Sequence, residues 1–391
     1  MTIRLYDQDA YMTRFEATVL SCTQESKGWI AELDRTAFFP EGGGQGADHG
    51  RLGEAQVLDV HEKSGHVLHT LDRPLNVGEK VQGEIDWARR FSMMQQHTGE
   101  HIFSGLTCRR FSCDNVGFHI GSEMVTMDFN CRMTWDDVME TERLANEIVW
   151  KNVPVKAWYP SPEELSEISY RSKKEIDGDL RIVSIEGADT CACCGTHVSR
   201  TGSVGQIKVL DLMNYKSGVR VSILCGARAL EAENGLLLEN RAVSHALSAK
   251  PGTLEVSVQR ILQERDQLRH QIQEMAEAEL ERQITCQASR DIRCVWVRGL
   301  SSASLRHAAG RAAKGARAGI VLTGDDRVQV ALSSECMDVR PLGQKLFEHF
   351  GGKGGGGKDM VQGSWPGQMD EEGAALVQSL VQSYLSAVEA T

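Results

Sequence analysis

The stretch 89-RRFSMMQQHTGEHIFSGLTCRRF-111 reads as one helix, with Phe91, Met94, His97, His101 and Ile102 falling near one face. His97 and His101 stand four residues apart. Their imidazoles therefore project from the same side about one turn apart and can bite a single ion. The pair gains weight from the later run Cys193-Cys194-Gly195-Thr196-His197, which adds thiolate and imidazole donors. Together they make a soft four-ligand set suited to tetrahedral zinc. Cys191, Cys193 and Cys194 compete for the thiolate position, and a Cys191/Cys194 pair would make the site structural.

Upstream of the helix, to about Trp87, short apolar runs alternate with turn residues (EATVLSC, GWIAELD, AQVLDVHE, GHVLHTL, KVQGEIDW). This is the pattern of a small antiparallel barrel or sandwich. Within it lies Phe38-Phe39-Pro40-Glu41-Gly42-Gly43-Gly44-Gln45-Gly46, a loop whose glycines permit positive φ and close backbone approach. Downstream, strand-like pieces (GFHIG, MVTMDFN, LRIVSIEG, GQIKVLDLM, GVRVSILCG) surround a helix near WDDVMETERLANEIVWKNV, an α+β mixture.

Pro251-Gly252 breaks the chain, and Thr253 can cap a helix running to about Leu280. Leu254, Val258, Ile261, Leu268, Ile272 and Met275 keep the spacing of a coiled-coil seam, interrupted at Arg265. Beyond it CVWVRGL, AGIVLTGD and VQVALSS predict strands, with a basic helix between the first two. A helix (PLGQKLFEHF), a glycine run and a C-terminal helix complete a separate α/β region. The boundaries expected are 1–88, 89–248, 251–284 and 285–391.

Composition limits the function classes. Hydrophobic residues make up 41% and charged residues 25% of 391, the balance of a globular chain. No apolar run approaches the roughly 20 residues that span a bilayer, and the N-terminus lacks a signal-peptide core. A cytoplasmic protein with no membrane partner is the expectation. Eleven cysteines without a secretory signal argue against a disulfide framework. The net charge of −11 argues against a nucleic-acid binder coated in basic residues, so any RNA contact must be local. Basic clusters occur at Arg89 and Arg90, at Arg109 and Arg110, at Arg171 to Lys174, and at Arg306, Arg311, Lys314 and Arg317.

Two other motifs compete. His97-Thr98-Gly99-Glu100-His101 fits the HxxEH pattern of inverzincin metalloproteases, with Glu100 as general base, but that reading leaves Cys193 and His197 unexplained. Gly352 to Lys358 fits the core of a Walker A loop. The next residue is Asp359, however, where a P-loop needs Ser or Thr, and the run follows a helix and not a strand.

The assembled motifs resemble the editing domain of alanyl-tRNA synthetase and its free-standing relatives, the AlaX alanyl-tRNA editing proteins, in the long form. The resemblance rests on His97-x-x-x-His101, on Cys193-Cys194-Gly195-Thr196-His197-Val198 followed by Thr201-Gly202, and on Gly43-Gly44-Gln45. Met127-Asp128-Phe129, Gly218-Val219-Arg220 and the glycine-rich segment from Gly351 to Gly363 add to it. It implies an N-terminal barrel, a zinc-dependent deacylase domain, a helical linker and a C-terminal domain of the DHHA1 type.

It further implies one zinc ion per chain on His97, His101, Cys193 and His197, and hydrolysis of mischarged tRNA, foremost Ser-tRNA(Ala) and also Gly-tRNA(Ala). Thr98 would supply a hydroxyl that favours serine. Gly43, Gly44, Gln45, Asn115, Asp128 and Arg220 would meet the substrate, while Arg311, Lys314, Lys353 and Lys358 would meet tRNA. A homodimer would form through the C-terminal domain or the linker helix. Cys194 departs from the family's glycine, and Asn115 stands where the synthetases often carry glutamine. Nothing resembles the class II aminoacylation core, and a non-catalytic tRNA-binding protein with structural zinc is the remaining alternative.

Overall fold

The alternation that runs to Trp87 folds as a closed barrel. Its strands are β1 (Arg14–Glu25), β2 (Gly28–Leu33), β3 (Gly50–Leu52), β4 (Ala55–Lys63), β5 (His66–Leu71) and β6 (Lys80–Ile85). They follow one another around the wall as β1-β2-β5-β4-β3-β6, and β6 pairs back onto β1. Closure leaves no open edge, which decides for a barrel over a sandwich. In β1, Phe15, Ala17 and Val19 point into the barrel core with Leu33, Leu52, Val60 and Leu71. The structure is a computed structural model that describes residues 1–26, 28–172 and 180–389.

The chain divides into two compact units, Met1–Arg241 and Ala242–Thr391. In the first, the barrel leads directly into α1 (Trp87–Phe111), whose N-terminus is capped by Asp86 accepting the Arg89 N–H. Every residue of α1 from Met94 to Gly105 is buried. The histidine face is thus only part of what this helix hides. One side packs on a four-stranded antiparallel sheet, β7 (Asn115–Ile120), β8 (Val125–Phe129), β12 (Ile207–Tyr215) and β13 (Gly218–Cys225), in the order β12-β13-β8-β7. It also meets α2 (Trp135–Lys151), which starts with a Thr134/Asp137 capping box. A smaller sheet of β9 (Val155–Trp158), β10 (Ile182–Ile185) and β11 (Asp189–Ala192) brings the cysteine run against α1.

Arg90 joins barrel and helix. Its guanidinium is fully buried, pairs with buried Asp48 and donates to the carbonyls of Ala10 and Ala37. A buried ion pair persists only when its remaining hydrogen-bonding groups are satisfied, as these are. Arg90 is therefore no RNA contact, contrary to a solvent-facing basic cluster. Arg171 is likewise committed to Asp189, and Lys173 and Lys174 of the same cluster lie outside the described residues.

The helix α3 (Gly226–Ala246) was not legible in the sequence, because Leu236, Leu237 and Leu238 run consecutively and stay exposed. In the second unit α4 (Leu254–Cys286) buries only Ala276 and Leu280. Its last turns pack on a five-stranded sheet of β14 (Ile292–Trp296), β15 (Ala318–Thr323), β16 (Arg327–Ser333), β17 (Lys353–Gly357) and β18 (Met360–Pro366), ordered β14-β15-β16-β18-β17. A helix at Ser302–Ala313 makes the single parallel crossover between β14 and β15. The glycine run is β17, an edge strand and not a phosphate loop. A side chain at Gly354 would meet the Phe347 ring at 2.3 Å, so packing explains that glycine.

Candidate metal centre

Four donors converge inside the first unit: His97 and His101 from α1, and Cys193 and His197 from the loop after β11. Their ligand atoms all lie within 4.8 Å of one another. Cys193 Sγ stands 3.4 Å from Nε2 of both His97 and His197. Around a tetrahedral zinc, bond lengths of about 2.0–2.1 Å to nitrogen and 2.3 Å to sulfur place N and S about 3.6 Å apart. The donors are spaced as such an ion would hold them. Gly195 makes this approach possible, because a Cβ there would fall 2.1 Å from His97 Cε1.

Each histidine is oriented from behind. His97 Nδ1 faces Gln45 Oε1 at 2.9 Å, His101 Nδ1 faces Asp189 Oδ2 at 2.9 Å, and His197 Nδ1 faces Thr98 Oγ1 at 3.2 Å. With Nδ1 carrying the proton toward an oxygen, the Nε2 lone pairs are the ones that converge. Gln45 also accepts the Thr196 N–H and donates to its hydroxyl, so the barrel loop fixes His97 and the cysteine loop at once. Asp189 is gripped by Arg171 through two bonds of 2.8 and 2.7 Å. The Arg171-Asp189-His101 chain had no local signature in the sequence.

Electrostatics single out one thiol. Burial opposes ionisation of Cys193, yet the imidazoles of His97, His101 and His197 outweigh it and hold the thiol well below the usual range. Burial pushes the Cys191 thiol up instead. Burial, helped by His97, brings His197 down to about 3, which keeps it a neutral ligand. Asp189 stays low despite burial because His101 and Arg171 stabilise its charge.

His97, His101 and Cys193 form part of the wall of a cavity of about 560 Å³, with Gly43, Gly44, Gly117, Phe118, Tyr159 and Arg181 among the other lining residues. Gly44 adopts a φ of +81°, and a Cβ on it would strike Phe118 at 2.4 Å. Glycine there meets both demands.

The other residues expected to meet substrate lie elsewhere. Gln45 and Thr98 are 1% and 0% exposed, behind the ligands; Thr98 Oγ1 also accepts the Val198 N–H. Asn115 donates to Glu100 Oε1 and Ser104 Oγ and accepts from the Gly117 N–H. Asp128 and Arg220 pair across β8 and β13, with Arg220 stacked on Tyr215 at 3.9 Å. Glu100 is fully buried and accepts from Ser104 and Asn115, a poor position from which to activate a water for peptide cleavage. In the second unit Arg311 is paired with Glu277 and Glu281, whereas Lys314, Lys353 and Lys358 are exposed.

Comparison with known proteins places these features. Residues 180–222, which carry Cys193 and His197, match the second additional domain of threonyl and alanyl tRNA synthetases. Residues 10–89 match the model of class II (A) tRNA synthetases. That second match falls on the barrel. Over 232 residues the chain is 34% identical to the alanyl-tRNA editing protein AlaX-M of Methanosarcina barkeri, covering 94% of that protein and 55% of this one. It is 28% identical to AlaX-L of Pyrococcus horikoshii, across 93% of this chain and 94% of the relative. The alanine–tRNA ligase of Ignicoccus hospitalis is 35% identical over 66% of this chain, which spans 30% of that ligase's length. The class is that of editing modules related to the synthetases. The chain belongs to the AlaX family of alanyl-tRNA editing proteins.

Proposed function

We propose that the protein is a zinc-dependent hydrolase that deacylates mischarged tRNA in trans, foremost Ser-tRNA(Ala) and also Gly-tRNA(Ala). The observation that carries this reading is the position of the metal ligands: three of the four form a wall of a cavity large enough for a drug-sized ligand. A purely structural site needs no such opening, and this favours reaction over a scaffold role. The names of the AlaX relatives supply the substrate class.

Zinc, when bound, supplies a Lewis acid that lowers the barrier to attack of water on the ester. The protein's own groups prepare that event. Gln45, Asp189 and Thr98 each fix one imidazole, so that the donor set costs little reorganisation. Thr98 thus acts as a positioning residue through His197. The Arg181 guanidinium donates to the carbonyls of Cys193 and Gly195 and holds the thiolate-bearing turn in place. Gly43 and Gly44 let backbone approach the cavity where a side chain would fill it.

For the second unit we propose a DHHA1-type role in tRNA binding through Lys314, Lys353 and Lys358, which have free access to a phosphate backbone. The apolar seam on α4, with Leu268, Ile272 and Met275 more than half exposed, supports a homodimer. The function is tested by a deacylation panel of Ser-tRNA(Ala), Gly-tRNA(Ala), Ser-tRNA(Thr) and correctly charged Ala-tRNA(Ala). Loss of serine, and more slowly of glycine, from tRNA(Ala) with Ala-tRNA(Ala) spared is expected. Survival of all mischarged species under a large excess of zinc-loaded protein would end this reading.

A further inference from the structure

Three free thiols, none of them a metal ligand, lie together where α1 ends: Cys108, Cys113 and Cys131, all partly buried against the core of the first unit. Backbone geometry decides which of them face each other. Ser112 follows α1 with a left-handed φ of 49°, and the Cys113 N–H bonds back to the Cys108 carbonyl. That closure is a Schellman motif, which sets Cys113 beside Cys108 on the last turn of the helix. From Cys113 the chain runs into β7, antiparallel to β8, with Asn115 opposite Phe129. The Asn130 N–H donates to the Asp114 carbonyl at 3.2 Å, so the register carries on past the ends of the two strands. The next pair outward is Cys113 and Cys131. It is of the non-hydrogen-bonded kind, in which Cα atoms stand about 4.5 Å apart and the side chains share one face. Disulfides form across Cα separations of about 4.4–6.8 Å, so these two sulfurs can join without moving either strand.

Cys113 is also accessible. With Cys108 it lines a cavity of about 610 Å³ that shares no lining residue with the one at the metal. Among the described residues the three thiols do not converge within 4.8 Å of one another as the metal donors do, so the cluster offers a reactive pair and not an ion cage. Burial and the neighbouring Cys131 thiol push Cys113 up, which suits it to resolve an oxidised partner and not to react first.

We propose that Cys113 and Cys131 form a modification site for hydrogen peroxide, closing to a reversible disulfide that staples β7 to β8. Cys131, as thiolate, attacks one peroxide oxygen; the O–O bond breaks, and the departing hydroxide takes up the proton that the thiol released. Cys131 is then a sulfenic acid. The Cys113 sulfur attacks that sulfur, its proton leaves with the displaced hydroxyl as a second water, and the S–S bond forms. Two thiols lose two electrons and two protons, and one peroxide becomes two waters. The cross-link closes the chain around both strands and so restricts the unfolded state. None of this depends on which ester the metal site hydrolyses.

The test takes the full-length protein, zinc-loaded and freed of reductant, and adds one equivalent of hydrogen peroxide. Peptide mapping by mass spectrometry without reduction should show one cross-linked pair, Cys113 with Cys131, lighter by two hydrogens and reopened by dithiothreitol. Zinc content should not change, and the midpoint of urea unfolding should move up in the oxidised form. In Cys113→Ala the sulfenic acid has no resolving thiol, so dimedone should label Cys131. A link between Cys113 and Cys108 would overturn the pairing derived from the strand register. Oxidation of Cys193 with release of zinc, while Cys113 and Cys131 stay reduced, would overturn the site as a whole. So would free thiols at both positions under a large excess of peroxide.

Discussion

Removing the carboxylate behind His101 should loosen the metal without removing a ligand. Asp189 is 6% exposed and accepts from His101 Nδ1 at 2.9 Å and twice from Arg171. In Asp189→Ala the imidazole loses the partner that fixes its tautomer and ring plane, and zinc affinity should fall about 10- to 100-fold, or about 1.4–2.7 kcal/mol. The same change strands the Arg171 guanidinium, whose side chain is 24% exposed. Stability should fall toward the lower end of the about 3–5 kcal/mol typical of a broken buried pair, because water reaches part of that group. The two effects separate experimentally. Chelator competition at constant pH reads zinc affinity on folded protein, and urea unfolding of the stripped protein reads the stability term. Asp189→Asn, which keeps an acceptor for His101, should lose less affinity than Asp189→Ala. If Asp189→Ala binds zinc as tightly as wild type, the orienting role assigned to this carboxylate is wrong.

Arg90→Ala should destabilise the first unit by about 3–5 kcal/mol, since Asp48 is left as an uncompensated buried charge; a shift in the urea midpoint equivalent to under about 1 kcal/mol would contradict the barrel-to-helix staple. His69 is buried, and desolvation lowers it from 6.5 to about 4. The unfolded chain then takes up the proton first, so stability is retained above about pH 6.5 and is lost as pH falls toward 4. At about pH 5 the loss is about 2 kcal/mol, and His69→Gln should flatten the wild-type profile by that amount in urea titrations. Cys193→Ala should lower bound zinc measured by elemental analysis while Cys191→Ala leaves it near one per chain; the reverse result would move the thiolate ligand to Cys191.

The pairing of two donors was legible because a helix repeats every 3.6 residues: His97 and His101 share a face whatever packs around them. The barrel was legible for a similar reason, its strands alternating inward Phe15, Ala17 and Val19 with solvent-facing neighbours. What sequence order hides is contact across it. Asp189 lies 88 residues from the histidine it orients, and Gln45 lies 52 from His97. The family resemblance put Gly43, Gly44 and Gln45 at the substrate, yet of the three only the glycines line the cavity while the glutamine turns inward to His97. Strand β17 escaped notice because a run of glycines has no strand propensity, and pairing with β18 overrides it. The short strand Asp189–Ala192 was masked by the cysteine motif that overlaps it, although it is what sets that motif against α1.

The most direct test follows serine release from Ser-tRNA(Ala) in three preparations: the protein as purified, the protein stripped of metal by a chelator, and the stripped protein given one equivalent of zinc. The account predicts hydrolysis in the first and third and none in the second. Hydrolysis at the same rate in the stripped protein would contradict it.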